Sequence, residues 1–188
     1  MNSTAIFKAI KIIYPQIEGG YTYWENQANP ADGLIWENKI FPKPKWQDIE
    51  KLIPEIELQN AKEAKLAEIN SFHDSKEVKY LTIKVGSLQT GIFVNQEYRY
   101  LIDEQRELLQ IRKDAGETNP TWLYQNGITL PLDLKTLNQI RLYIGKLTDD
   151  NFRARANNIK AISAFKTIEE LDKFDIKTGY RINQILTF

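Results

Sequence analysis

The chain has 188 residues, 42% apolar and 27% charged, with 25 Lys and Arg against 25 Asp and Glu, and no cysteine. That length and balance suit a globular, soluble chain able to bury roughly 70% of its unfolded surface. They exclude a disulfide framework, a thiolate nucleophile and a cysteine-ligated metal, and a formal charge of zero supplies no global field for nucleic acid or an anionic membrane surface.

Ile6, Ala9, Ile10 and Ile13 recur at three- and four-residue steps and predict a helix from Ser3 to Tyr14, capped by Ser3 or Thr4 and stopped by Pro15. Lys8 and Lys11 interrupt the apolar run there, so neither a signal peptide nor a membrane-spanning helix is expected. Past Gly19-Gly20, Tyr21, Tyr23 and Trp24, and then Leu34, Ile35 and Trp36, flank a loop holding Asn29-Pro30 and Asp32-Gly33. This is the pattern of two short strands around a turn-rich connection. Pro42 and Pro44 stiffen the residues before Trp46–Phe72, the longest helical stretch, rich in Glu, Lys and Ala. Pro54 inside it predicts a kink, or a restart with Pro54 in a first turn. Apolar residues thin out after Leu58, which gives a connector helix with a narrow buried stripe.

From Val78 the period becomes two, with Tyr80, Thr82 and Lys84 opposite Leu81, Ile83 and Val85. Gly86-Ser87 and Thr90-Gly91 bracket the expected turn of a hairpin ending at Val94. Tyr98–Asp114 follows as a helix, with Tyr98, Leu101, Ile102, Leu108, Leu109 and Ile111 as its apolar surface and Gly116 as its stop. Trp122-Leu123-Tyr124 and Ile128–Leu130 form a second hairpin around Asn126-Gly127, whose return strand should end at Pro131, a residue with no N–H for a ladder. Asp133 caps a helix carrying Leu134, Leu137, Ile140 and Ile144. A separate helix is predicted over Asn151–Phe165, with Phe152, Ile159 and Ile162 on one face and Asp149-Asp150 at the boundary. The order Thr167-Ile168-Glu169-Glu170 is a capping box for a last short helix. Tyr180–Phe188 is a closing strand or helix.

Hairpins and helices mixed without strict alternation define the α+β class. The expected organisation is an N-terminal α+β module over residues 1–45, a connector helix over 46–77 and a C-terminal α+β domain over 78–188, centred on Thr121–Ile140 with Trp122 as a core anchor.

No catalytic, cofactor or metal residue is assigned. His73, the single histidine, precedes Asp74 and Ser75, but a triad is assembled in space, and a cation favoured by the helix C-terminus is the simpler reading. Asp149-Asp150 and Glu169-Glu170 read as helix-end carboxylates rather than as an acid–base pair or metal ligands. Arg141, Lys146, Arg153, Arg155 and Lys160 read as a solvated face, interrupted by acids and without interleaved aromatics. Tyr21, Tyr23, Trp24, Trp36 and Trp46 are unusually dense for so short a segment. Part of that cluster must fill a small core, and the rest is the candidate partner-binding surface, since Trp and Tyr concentrate at protein interfaces.

Ala9–Pro15 (AIKIIYP), Gly33–Asn38 (GLIWEN) and Pro42–Glu50 (PKPKWQDIE), with Trp36, Pro44 and Ile49 as the matching positions, resemble the opening of small bacteriophage tail proteins. Trp122–Leu137 (WLYQNGITLPLDLKTL), Asn157–Ile162 (NNIKAI) and Thr167–Asp175 (TIEELDKFD) resemble a phage tail-associated domain of unknown function. The family's alanine-rich helices are Lys- and Ile-rich here. The resemblance implies a non-enzymatic tail structural protein, located in the virion tail, that binds a tail fibre or the baseplate and self-assembles with the symmetry of the organelle. The alternative it implies is a tail-fibre assembly chaperone that works in the host cytoplasm. No catalytic residues come with it.

Overall fold

A computed structural model describes residues 3–25, 27–117, 121–125 and 128–188, and for 121–125 and 128–129 the backbone alone. Contacts divide the chain into two compact units. One holds the chain up to Lys65 with Phe165–Lys173; the other holds Leu66–Ala164 with Phe174–Phe188.

In the first unit, α1 (Ser3–Ile13) buries Ile6, Ala9 and Ile10 of the expected face and Ala5 beside them, with Ile13 half-buried. Its first described N–H is satisfied from a distance: Ser3 donates to the Glu25 carboxylate at 2.9 Å. Strands β1 (Tyr21–Tyr23) and β2 (Leu34–Trp36) pair antiparallel around a short 3-10 turn, Pro30–Gly33, capped by Asn29. Helix α2 (Trp46–His73) opens in this unit and places Ile49, Ile53 and Ile56 against α1, Ile17 and Leu34. It is one helix of 28 residues, so no restart occurs at Pro54. Pro54 and Glu50 are both exposed, which leaves the Glu50 carbonyl, deprived of its donor, facing water. Helix α6 (Ile168–Lys173) carries the capping box in full: Thr167 Oγ1 accepts from the Glu170 N–H at 3.2 Å, and the Glu170 carboxylate accepts from Thr167 N–H at 3.1 Å.

The second unit contains the end of α2, a single helical turn α3 (Lys76–Lys79), and a hairpin of β3 (Tyr80–Val85) and β4 (Leu88–Phe93). The turn is Gly86-Ser87, with Gly86 at φ +58, as two-residue hairpins demand. Thr90-Gly91 is not part of it. Gly91 lies within β4, where a Cβ would stand 2.1 Å from Tyr80 Oη, so only glycine lets the Tyr80 ring cross that strand. The closing segment resolves into strand β7 (Gln184–Thr187), parallel to β3, giving a sheet of order β4-β3-β7. Helix α4 (Gln96–Asp114) is capped by Asn95, whose side chain accepts from Tyr98 N–H; it buries Ile102 and Leu109 and leaves Leu108 and Ile111 exposed.

Strands β5 (Thr121–Gln125) and β6 (Ile128–Leu132) form the second hairpin. Pro131 does not end β6: it pairs with Trp122 and the strand runs on to Leu132. A two-stranded ribbon has an edge on each strand, where a missing N–H costs no ladder bond. The expected Asn126-Gly127 turn and the Trp122 side chain lie outside the described residues. Asp133 caps the next helix, accepting from Thr136 N–H at 2.7 Å.

That helix, α5 (Leu134–Ala164), is one element of 31 residues, not two. Leu137, Ile140, Ile144, Leu147, Asn151, Ala154, Asn158 and Ile162 form one buried stripe at three- and four-residue steps. Asp149-Asp150 is therefore mid-helix, and Asp150 pairs with Arg181 at 2.9 Å. The first half of the stripe packs with Leu81, Ile83, Ile92, Ile102, Leu130 and Leu132 into an aliphatic core. Its second half holds the tail. Asn151 Nδ2 donates to Arg181 O at 3.2 Å while its Oδ1 accepts from Arg181 N–H at 2.8 Å. One heptad on, Asn158 Nδ2 donates to the carbonyls of Ile176 and Thr178 at 2.8 and 3.1 Å. These bonds satisfy tail backbone that has no other ladder, and they deliver the chain to β7.

The sequence-expected α+β class therefore holds, with three small sheets among the helices.

Candidate functional site

The five aromatic residues proposed to bind a partner all lie in the first unit. Tyr21 and Trp36 are cross-strand partners, their rings stacked at 5.6 Å and 16°. Trp36 also touches Tyr14 and donates its indole N–H to the Phe41 carbonyl at 2.9 Å. Tyr23 stacks on Trp46 at 6.3 Å. These four rings are half-buried against the isoleucine core. Trp24 differs: it is 63% exposed and directly precedes Glu25, the residue that satisfies the start of α1. The Ser3 N–H bond holds the Glu25 carboxyl below its usual range.

The same unit carries a feature the sequence did not announce. Phe7, Ile12 and Ile56 line an open groove of about 520 Å³ between α1 and α2, rimmed by Lys8, Lys11, Gln59 and Asn60. Lys8 donates to Asn60 and pairs with Glu63, which fixes one wall of the rim.

The second unit carries a cavity of about 420 Å³ among the end of α2, α3, the end of β4, the first turn of α4 and the middle of α5. His73 lines it, 5% exposed, with its ring against Phe152 and Tyr180. Lys79 Nζ stands 3.2 Å from His73 Nε2 and 3.7 Å from Asp74. Burial pushes the imidazole below the ordinary histidine range, and the Lys79 ammonium pushes the same way. Burial and Lys79 thus both work against the cation expected at this helix end; Nε2 faces the Lys79 ammonium, and Nδ1 is buried without a partner. Arg99, from the first turn of α4, donates Nη2 to Thr148 Oγ1 at 3.0 Å, and its Nε is also buried without an acceptor. Phe152, expected on a buried face, is half-exposed at the rim. The signal for this site was present only as isolated residues, because its walls come from five elements.

Of the basic residues of α5, Arg141 pairs with Asp103 at 3.0 Å and Arg155 donates to Asn70 at 2.7 Å, and Arg141, Lys146 and Arg153 share one surface concavity with Asp149 and Asp150. Burial would raise the Asp103 carboxyl, but hydrogen bonds from Arg141 and Arg106 outweigh it and hold it low. Among the described residues, no group of three His, Asp or Glu is placed to hold a metal, and no helix is long and apolar enough to cross a membrane. Compared with known proteins, the chain matches no family model, no curated protein and no solved structure.

Proposed function

We propose that the chain is a non-enzymatic binding protein, a structural component of a bacteriophage tail that engages a tail fibre or the baseplate through its N-terminal unit. The observation that carries the binding part is Trp24, an indole left 63% exposed where four neighbouring aromatic rings are packed. An exposed indole, in a unit that also carries an apolar groove lined by Phe7, Ile12 and Ile56, is what a protein interface is built around. The tail assignment rests on the resemblance of Trp36, Pro44 and Ile49 and of Trp122–Leu137 to tail proteins. Two acids that a glycan-cleaving enzyme would need free are engaged, Asp150 with Arg181 and Glu170 in its capping box, which favours binding over catalysis.

Pull-down from infected cells with wild type and Trp24→Ala tests the reading. The wild type retains a fibre or baseplate protein, while the variant stays folded and loses it; retention by the variant places the interface elsewhere. Mass spectrometry of purified particles separates the two tail roles, because a chaperone is absent from mature virions.

A further inference from the structure

We infer that the cavity in the second unit binds a small organic acid, its oxyanion head held by Arg99 and Lys79 and its apolar body lying against Phe152 and Leu147. This goes beyond the partner-binding reading and uses a different unit of the protein.

The cavity wall holds a buried donor that has no acceptor. Arg99 is always charged, and the bond to Thr148 leaves its Nε–H buried and unanswered. A guanidinium N–H shut away from water without an acceptor is costly, and natural sites of this kind are completed by a carboxylate or a phosphate. His73 turns Nε2 toward Lys79, so its ring stands next to the cationic end of the cavity. Lys79 supplies the second positive charge. Asp74, the acid it pairs with, lies 3.7 Å away with a side chain 77% exposed, so solvent screens most of that attraction. The cavity is also at the N-terminal end of α4, a helix of 19 residues, whose dipole adds to the same positive field.

Cationic ligands are repelled by this arrangement, and a purely apolar one leaves the Arg99 Nε–H unpaired. An oxyanion pairs with it. The half-exposed Phe152 ring and Leu147 then give the acid's body an apolar wall, and a cavity of about 420 Å³ lies within the usual range for small-molecule sites.

Because His73 is the single histidine, its ring resonances report on the site without ambiguity. In an NMR titration of the whole protein, phenylacetate is expected to shift the His73 signals saturably, while benzyl alcohol, the same body without the charge, leaves them in place. Acetate and inorganic phosphate, added separately, show which head group is preferred. Arg99→Gln and Lys79→Gln should each weaken phenylacetate binding at least tenfold, with far-UV circular dichroism reporting that the variants fold. The proposal is overturned if no anion shifts the His73 signals saturably, if benzyl alcohol shifts them as strongly as phenylacetate, or if a folded Lys79→Gln protein binds phenylacetate as tightly as wild type. Should Arg99→Gln fail to fold, the wild-type comparison of acid with alcohol and the Lys79 variant decide the matter.

Discussion

The two units fill their interiors differently. The first sets isoleucines of α1 and α2 beneath half-buried rings, Tyr14, Tyr21, Tyr23, Trp36 and Trp46, stacked around a two-stranded ribbon. The second closes an aliphatic core of Leu, Ile and Val and places its buried polar residues, Asn151 and Asn158, where backbone groups of the tail need partners. A small unit has too little chain to cover large rings, so aromatic area is left at its surface. The larger unit also leaves apolar side chains open, Tyr100 and Leu142 among them, and is set apart by buried polar atoms without a partner, Arg99 Nε and His73 Nδ1. Contact with another protein suits the first kind of surplus, and a charged ligand suits the second.

Core truncation is the strongest way to break this comparison. Ile140→Ala, at a fully buried position of the aliphatic cluster, should cost about 2–5 kcal/mol, read from denaturant unfolding of the whole chain. Trp36→Ala should cost less, because its ring is only half-buried and solvent can refill the space on its open side. The opposite order would mean that the rings are the true core of the first unit, and the case for an aromatic binding surface would fail.

The second unit's polar interior is tested by pH. His73 is buried neutral, so the folded state resists protonation while the unfolded chain accepts a proton in the ordinary histidine range. Stability should therefore be full above that range and fall as pH drops through it, with a slope of at most about 1.4 kcal/mol per pH unit. His73→Gln should flatten the profile between about pH 7 and 5, where no other side chain has an unperturbed pKa. A profile already flat in wild type would show that the ring stays solvated.

The same comparison explains which parts of the structure were legible beforehand. Helix starts and hairpins that rest on local chemistry were readable: Asp133, Thr167 with Glu170, and Gly86-Ser87 each act within a few residues of themselves. The continuity of α5 was not, because reading apolar periodicity alone breaks the stripe at Asn151, and only the tail passing over it shows why a polar residue belongs there. Gly91 misled for a similar reason. Its turn-like composition answers to the Tyr80 ring crossing a strand, a tertiary cause invisible to local pattern. Of the candidate sites, the aromatic cluster was evident from density alone, but the exposure of Trp24 among its packed neighbours was not. The cavity could not be read in advance, since His73, Lys79, Arg99 and Phe152 come from separate elements.

The smallest expected effect concerns how the helices of the two units begin. Helix α5 has a local cap, the Asp133 carboxylate, whereas α1 takes its cap from Glu25, 22 residues further along. Asp133→Ala should cost about 1 kcal/mol at neutral pH, the usual loss for a helix cap, and Asp133→Asn should cost little because asparagine caps as well. Their acid behaviour separates them from wild type. The Thr136 backbone N–H holds the Asp133 carboxyl below its ordinary range, so its contribution is complete above that range and is lost as pH falls through the depressed value. Asp133→Asn should keep the cap and remove that share of the acid sensitivity, leaving the His73 slope at higher pH untouched. Glu25→Ala offers the counterpart to Asp133→Ala in the first unit. There the cap also ties down the loop bearing Trp24, so its loss should weaken partner capture more than it lowers the melting temperature, and unchanged capture would show that Trp24 binds without being held in place.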